Sequence, residues 1–135
     1  MPTVLVADND PGVRSLLAEV VRRQGLTVRT ADDGEAARTV LVAGGVDLLV
    51  CDLDMPRLSG GEVLTWLAAQ PTQPAVVVVS GYIDAKVASD LQRLACVRAI
   101  LRKPFDVLAF AQLVRGLAAS EPPSATAAAA EPGPP

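Results

Sequence analysis

The chain has 135 residues, of which 50% are apolar and 20% are charged, and its formal net charge is −3. A chain of this length and composition is expected to form one domain without a disulfide or a structural metal. Because it contains no histidine, catalysis by serine–histidine or cysteine–histidine pairs, histidine-ligated zinc and phosphohistidine carriers are excluded. The acidic balance argues against a nucleic-acid partner, and every apolar run is too short to cross a membrane.

Short apolar runs alternate along the chain with segments whose apolar residues recur at helical spacing. The runs predict five strands, at residues 3–7, 27–30, 48–51, 75–79 and 99–101. The intervening and following segments predict five helices, with apolar faces within residues 13–21, 36–41, 63–67, 87–94 and 107–114. Gly44 and Gly45 are expected to end the second helix.

Five strands that are each followed by a helix predict an α/β fold with a doubly wound parallel sheet. The strands are continuously apolar, which is typical of a parallel sheet covered by helices on both faces. We expect the folded domain to comprise residues 2–117. Residues 118–135 contain seven alanines and five prolines, a composition that predicts a disordered tail or a linker stub.

Polar residues follow four of the five predicted strands. Asp8 follows the first strand, Asp52 the third, Ser80 the fourth and Lys103 the fifth. Ligands of doubly wound sheets bind beyond the carboxyl ends of the strands, so these side chains are expected to lie close together. Carboxylate and amide oxygens are hard ligands suited to Mg²⁺, and an aspartate beside such an ion can attack a phosphoryl group. A lysine and a hydroxyl would hold the remaining phosphoryl oxygens.

Five short motifs resemble those of the receiver domain of two-component response regulators, of the chemotaxis-regulator type. They are Val4-Leu5-Val6-Ala7-Asp8, Asp52-x-x-Met55-Pro56, Ser59-Gly60, Ser80-Gly81 and Lys103-Pro104-Phe105. The motifs occur in the order and at the spacing of that family and cover residues 3–117. The resemblance implies a flavodoxin-like, doubly wound five-stranded parallel sheet with strand order 2-1-3-4-5 and five helices.

The same resemblance implies roles for the residues at the strand ends. Asp52 would be the phosphoacceptor, Lys103 would contact the phosphoryl group and Ser80 would be the switch hydroxyl. The implied Mg²⁺ ligands are Asp8, Asn9, Asp52 and the backbone carbonyl of Asp54. A domain of this kind is a signalling module, whose only chemistry is its own phosphorylation and dephosphorylation.

Two polar sites near these motifs have a structural interpretation. Asp10 precedes Pro11, and this pair is typical of a helix N-cap followed by a proline in the first turn. Ser59 and Glu62 have the spacing of a capping box. We therefore expect these residues to begin helices and do not assign them to the metal site.

The cysteines and one proline carry further expectations. Cys51 and Cys96 do not form a Cys-x-x-Cys pair, and we interpret both as buried free thiols. Free thiols fit a reducing compartment, and with the absence of a visible signal peptide they predict a cytoplasmic location. The Lys103–Pro104 peptide is expected to be cis, as the resemblance also implies.

The chain departs from the family pattern at two positions. Asn9 stands where the family usually has a second acidic residue that ligates the metal, and Ile100 stands where it usually has an aromatic switch residue. These departures support a second hypothesis, a pseudo-receiver that makes protein contacts without being switched by phosphate. Tyr82, two residues past Ser80, is placed to cover part of the phosphorylation pocket.

A third hypothesis is a phosphatase similar to the haloacid dehalogenase family. Residues 48–54 match its nucleophile motif, in which an apolar strand is followed by Asp-x-Asp. That family normally places this strand first and its additional acidic residues last, whereas here acidic residues precede the strand. The phosphoacceptor receiver is therefore the preferred interpretation.

The resemblance also implies protein partners. The phosphodonor would be a sensor histidine kinase or a phosphotransfer protein, and the output would be a downstream protein target or a homodimer. Both outputs would use the face formed by the fourth helix, the fifth strand and the fifth helix. Residues 85–117 carry six basic and two acidic side chains, a net charge of +4, whereas residues 1–84 carry six and eleven, a net charge of −5. We expect no nucleic-acid or membrane partner for this chain.

Overall fold

A computed structural model describes residues 2–55, 57–81 and 83–119, in which five strands alternate with five helices. The strands are β1 (Thr3–Ala7), β2 (Thr27–Ala31), β3 (Leu48–Asp52), β4 (Ala75–Ser80) and β5 (Val97–Arg102). The helices are α1 (Pro11–Arg23), α2 (Gly34–Ala43), α3 (Gly60–Ala68), α4 (Ala85–Gln92) and α5 (Val107–Ala119). The element order predicted from the sequence is confirmed.

The strands form one parallel sheet in the order β2-β1-β3-β4-β5. The expected fold class and strand order are therefore confirmed. The chain starts at β1, adds β2 on one side and then adds β3, β4 and β5 on the other. This reversal makes the β1–β3 boundary the topological switch point, beyond whose carboxyl ends ligands of such sheets bind.

Helices cover both faces of the sheet, so the central strands are buried. Every residue of β3 and β4 is buried, whereas the edge strands β2 and β5 are partly exposed. One core layer packs α2, α3 and α4 against one face of the sheet, and a second packs α1 and α5 against the other. Burial on both faces explains why the central strands are continuously apolar.

The predicted helix caps are present. The Asp10 carboxylate accepts hydrogen bonds from the N–H groups of Gly12 and Val13 at the start of α1. Ser59 and Glu62 form a reciprocal capping box at the start of α3. Both structural interpretations are confirmed. Asp10, Ser59 and Glu62 are engaged in capping helices.

Several elements extend beyond the apolar runs that predict them. β3 and β4 include Asp52 and Ser80, and β5 is longer at both ends than residues 99–101. Strand pairing continues there because the ladder uses main-chain groups, which do not require an apolar side chain. α5 continues to Ala119. The boundary at residue 117 and the disordered tail stay predictions, because residues 120–135 lie outside the described part, as does Tyr82.

Both cysteines are free and buried, as expected. Burial, together with the nearby charges of Asp52 and Asp8, raises the pKa of Cys51 to about 12. Burial also raises the pKa of Cys96. Neither group is a thiolate at neutral pH, so neither is a reactive nucleophile in the folded domain. Within the described residues, no helix is both long and apolar enough to span a bilayer.

Candidate functional site

Four polar side chains come together at the carboxyl edge of the sheet. Asp52 and Ser80 are the last residues of β3 and β4, Asp8 directly follows β1 and Lys103 directly follows β5. Asp8 is 1% exposed, Asp52 is 5% exposed and Ser80 is fully buried. Burying carboxylates is costly unless they are paired or ligated. The convergence expected from the strand ends is therefore observed, at a place where charge must be compensated.

The ammonium group of Lys103 lies between the two carboxylates. Its Nζ donates to Asp8 Oδ2 at 2.9 Å and lies 3.6 Å from Asp52 Oδ2. Burial by itself lowers the pKa of Lys103, but the hydrogen bond to Asp8 and the charges of both carboxylates outweigh it and hold that pKa above 10.5. Lys103 is therefore a fixed positive charge whose primary partner here is Asp8.

The main chain places Lys103 against the end of β4. The backbone N–H of Lys103 donates to the carbonyl of Ser80 at 2.8 Å, next to the register pair of Ser80 with Arg102. The Lys103–Pro104 peptide is cis, as expected. These contacts hold the Lys103 and Ser80 side chains on adjacent strand ends beside Asp52.

Asp52 has only part of its charge compensated by the protein. Burial raises its pKa above the ordinary 3.8, and the charge of Asp8 adds to this effect. The opposing contributions come from the Asp54 N–H, which donates to Asp52 Oδ1 at 3.2 Å, and from the charge of Lys103. The raised pKa indicates a carboxylate that a cation would stabilise further.

The turn between β1 and α1 fixes the second carboxylate. The Asp10 N–H donates to Asp8 Oδ1 at 2.9 Å, and Arg14 Nη1 donates to the backbone carbonyl of Asp8 at 2.8 Å. Asn9 lies in the same turn and is exposed. The turn thus buries Asp8 beside Asp52 and leaves Asn9 exposed.

The donors at this edge are of the type that Mg²⁺ prefers. Asp8 and Asp52 supply carboxylate oxygens, and Asn9 and the Asp54 backbone supply carbonyl oxygens. Across the described residues, no group of three or more acidic, cysteine or histidine side chains is placed to hold a metal ion. Asn9 in place of an acidic residue leaves two carboxylates in the expected ligand set. The oxygen chemistry fits the cation, with less negative charge than the family pattern supplies.

Two arginines that sequence reasoning missed fix the loops beside the site. Arg14 binds the carbonyl of Asp8, and Arg102 Nη1 donates to the carbonyl of Ile83, between β4 and α4. Ile100, two residues before Arg102 on β5, packs against the core layer of α2, α3 and α4. The spacing of two on a strand indicates that Ile100 and Arg102 share a face, but it does not identify the carbonyl that Arg102 reaches.

A third missed arginine attaches the loop between β3 and α3 to another helix. Arg57 Nε donates to Asp33 Oδ2 at 2.8 Å. Arg57 has a φ of 68°, and no other non-glycine residue in the described part has a positive φ. The partners are 24 positions apart, so no local pattern in the sequence predicts this contact.

Comparison with known proteins agrees with this geometry. A family model described as the response regulator receiver domain matches residues 4–115. The transcriptional regulatory protein FixJ of Azorhizobium caulinodans is 34% identical over 112 residues, which are 83% of this chain and 53% of FixJ. The C4-dicarboxylate transport transcriptional regulatory protein DctD of Pseudomonas aeruginosa is 31% identical over 112 residues, 83% of this chain and 24% of DctD. The chain therefore spans about half of one relative and about a quarter of the other.

A solved structure supports the same relationship. The response regulator receiver protein from Pseudomonas putida is 30% identical and superposes with a TM-score of 0.79, covering 85% of this chain and 96% of that chain. The residues matched by the family model, 4–115, include all four strand ends that form the candidate site.

Proposed function

The chain belongs to the response regulator receiver domain family, and we propose that Asp52 accepts a phosphoryl group from the phosphohistidine of a sensor histidine kinase or a phosphotransfer protein. Receiver domains of two-component systems signal through phosphorylation. The observation that carries the proposal is the convergence of Asp52 with Asp8, Ser80 and Lys103, where Lys103 Nζ lies 3.6 Å from Asp52 Oδ2. The chain contains no histidine, so these residues do not themselves supply the phosphohistidine.

The proposed transfer forms one bond and breaks one bond. A carboxylate oxygen of Asp52 attacks the phosphorus, and the bond between phosphorus and the donor imidazole nitrogen breaks. That nitrogen keeps the electron pair, and the product on Asp52 is an acyl phosphate. Lys103 Nζ, 3.6 Å from Asp52 Oδ2, and the Ser80 hydroxyl on the adjacent strand end are the side-chain donors that would stabilise the negative charge on the transferred oxygens.

We assign the Mg²⁺ ligands to Asp8, Asn9, Asp52 and the backbone carbonyl of Asp54. When bound, the cation offsets the repulsion between the carboxylate nucleophile and the phosphate. Asp8 already contacts Lys103 at 2.9 Å and would serve the cation as well. Asp54 holds Asp52 through its N–H, and its backbone carbonyl would be the further ligand.

Output is proposed to pass through the face formed by α4, β5 and α5. Three exposed arginines, Arg93, Arg98 and Arg102, give this face a positive charge, whereas Arg115 of α5 donates to Gln24 at the end of α1. Its partner is a downstream protein or a second copy of the domain. FixJ and DctD are regulatory proteins of which this chain spans only part, so the output of the whole protein is likewise a proposal. The buried free thiols support a cytoplasmic location.

Intact-mass measurement after incubation with a small phosphodonor tests the function. The wild-type chain should gain the mass of one phosphoryl group in the presence of Mg²⁺ and none after chelation, and the group should be base-labile. Asp52→Asn should abolish the gain. Asp54→Asn is the matched control, because it removes the exposed neighbouring carboxylate and keeps the backbone carbonyl. Phosphorylation of the Asp52→Asn protein, or mapping of the group to Ser80, would refute the assignment.

A phosphate-independent receiver is the second candidate function. The ion pair of Lys103 with Asp8 at 2.9 Å and the neutral Asn9 favour it, because an internal cation already compensates one of the two carboxylates. This candidate predicts that millimolar Mg²⁺ does not bind and that partner binding is the same for wild type and Asp52→Asn. No observation in the described residues favours the phosphatase hypothesis.

A further inference from the structure

The loop between β3 and α3 carries one member of the proposed metal site, the backbone of Asp54. Asp54 lies in this loop, and its N–H donates to Asp52 Oδ1 at 3.2 Å. The proposed function also assigns the carbonyl of Asp54 to Mg²⁺. Because both groups belong to the backbone, no rotamer of Asp54 can correct a displaced loop. Something must therefore hold the loop itself.

Arg57 adopts an unfavourable backbone conformation in this loop. Its φ of 68° lies in the left-handed region, where the Cβ of an L-residue crowds the following carbonyl. Such conformations persist only when the surrounding structure holds them in place, and they concentrate at functional sites. A contact that compensates this cost is therefore expected at Arg57.

The compensating contact is an ion pair with the first turn of α2. Arg57 Nε donates to Asp33 Oδ2 at 2.8 Å, and the Asp33 side chain is only 8% exposed. The other oxygen of Asp33 accepts from the Ala36 N–H at 2.7 Å, which caps α2. Both oxygens are thus engaged, one by the helix and one by the loop. A buried carboxylate fixed by its helix is a rigid anchor, although the Arg57 side chain itself is 61% exposed.

Close backbone packing defines where the anchored loop can lie. A Cβ added at Gly34, the first residue of α2, would overlap the carbonyl of Leu58, and one added at Gly60 would overlap the carbonyl of Asp52. The Gly60 N–H also donates to the carbonyl of Leu53 at 3.0 Å. The part of the loop that follows Arg57 is therefore packed against α2 at Leu58 and against the end of β3 at Gly60.

The geometry points to Arg57 as a positioning residue whose ion pair with Asp33 holds Asp54 in register with Asp52 and thereby sets the affinity of the site for Mg²⁺. The inference rests on the proposed function for the identity of the cation. Since Arg57 does not touch the reacting atoms, its loss should weaken metal binding and leave the phosphorylation rate at saturating Mg²⁺ close to that of the wild type.

Three variants separate the ion pair from the backbone conformation. Arg57→Gln removes the charge and keeps a side chain in the left-handed conformation. Arg57→Gly removes the ion pair and also the cost of a positive φ. Asp33→Asn keeps an oxygen for the α2 cap and removes the charge that binds Arg57. Arg38→Gln is the matched control, because it makes the same change at an exposed position on α2.

The first measurement needs neither metal nor phosphodonor. Hydrogen exchange of the Asp54 amide in the metal-free protein should be about fivefold faster in all three variants than in the wild type or Arg38→Gln. Calorimetric titration with MgCl₂ should then show binding weakened by about fivefold, which corresponds to about 1 kcal/mol. Phosphorylation by a small donor should slow at low Mg²⁺ and stay within about twofold of the wild type at saturation.

The double variant Asp33→Asn/Arg57→Gln decides whether the two residues act as a pair. Its Mg²⁺ affinity should be no lower than that of the weaker single variant, since each change breaks the same contact. Additive losses of Mg²⁺ affinity in the double variant would overturn the inference. It would also be overturned if the Asp54 amide exchanged in the single variants at the wild-type rate. A wild-type protein that fails to phosphorylate while the variants show faster exchange would refute the proposed function and leave the positioning role supported.

Discussion

At the scale of one residue, the position of Asp52 in the fold disfavours the charged form of its side chain. It occupies the last position of the buried strand β3, where burial raises the pKa of its carboxyl group. The Asp54 N–H and Lys103 return only part of the stabilisation that the carboxylate loses on leaving water. A charged Asp52 therefore destabilises the metal-free fold, and a cation bound at the proposed site would offset this cost.

Asp52→Asn should therefore stabilise the metal-free protein at neutral pH. Because the native pKa lies above 3.8, the native state binds more protons than the unfolded state between the two pKa values. Stability consequently falls as pH rises through that window, and above it the wild type bears the full cost. The cost is about 1.4 kcal/mol for each unit by which the pKa is raised, and asparagine does not bear it.

Urea unfolding at pH 7 and at about pH 3 checks this expectation. The Asp52→Asn protein should have a higher free energy of unfolding than the wild type at neutral pH. This difference should shrink in acid, where Asp52 of the wild type is protonated. Asp54→Asn, at an exposed carboxylate, should show a much smaller effect at both pH values. Equal stability of Asp52→Asn and wild type at pH 7 would contradict the expectation.

Asn9 is the neutral side chain in the proposed metal site. Asn9→Asp should tighten Mg²⁺ binding by about tenfold or more, because a unit charge pair at ~4 Å is worth about 4 kcal/mol at an effective dielectric near 20, of which dehydration removes a part. Asn9→Ala should weaken binding, because it removes the amide oxygen. Calorimetry with MgCl₂ measures both, and equal affinities in the three proteins would show that side chain 9 does not reach the metal.

At the scale of elements, α3 is placed by a close approach of backbone to backbone. Its first residue, Gly60, lies where a Cβ would overlap the carbonyl of Asp52. The next residue, Gly61, is exposed, and a Cβ there would meet only the Ser59 hydroxyl at 3.8 Å. Of these two adjacent glycines, only Gly60 is required by tertiary packing.

This difference predicts opposite effects of the same substitution. Gly60→Ala should destabilise the protein by about 3 kcal/mol, because α3 must move away from β3. Gly61→Ala should stabilise it by about 0.5 kcal/mol, because alanine loses less backbone entropy in a helix. Thermal or urea unfolding of the two variants provides the comparison, and each serves as the control for the other. A Gly60→Ala protein as stable as the wild type would contradict the close approach.

At the scale of the whole molecule, the two core layers enclose both thiols. Cys51 lies in the central strand β3, and Cys96 is 1% exposed just before β5. With the pKa of Cys51 raised to about 12, the thiol reacts only when the sheet opens. Its labelling rate therefore reports the opening of the entire domain.

Labelling of Cys51 in the single-thiol variant Cys96→Ala should be slow in buffer and should accelerate in urea in parallel with global unfolding. Mg²⁺ at about 100 times its dissociation constant should slow labelling by about 100-fold, since binding to the native state alone adds about 2.7 kcal/mol. The Asp52→Asn protein should lose most of this protection. Fast labelling without denaturant, or protection by Mg²⁺ that survives in Asp52→Asn, would contradict the expected burial or the metal assignment.

The sequence by itself determined the element order, the fold class and the members of the site. Continuous apolar runs separated by helical spacing identify buried parallel strands, because burial on both faces leaves no polar alternation. The carboxyl ends of such strands share one edge, so the strand pattern alone predicts that Asp8, Asp52, Ser80 and Lys103 lie together. The Asp10 cap and the Ser59 capping box were equally predictable, because each depends on residues a few positions apart.

Only the tertiary structure decided which groups contact one another within and around that site. Lys103 pairs at 2.9 Å with Asp8 and lies farther from Asp52, a preference that the order of the strand ends does not specify. Arg57 reaches Asp33 across 24 positions, and Arg102 reaches a backbone carbonyl that no side-chain pattern marks. Local patterns determine what each segment forms, whereas these contacts depend on the distances at which helices and loops pack, and those distances are a property of the folded chain.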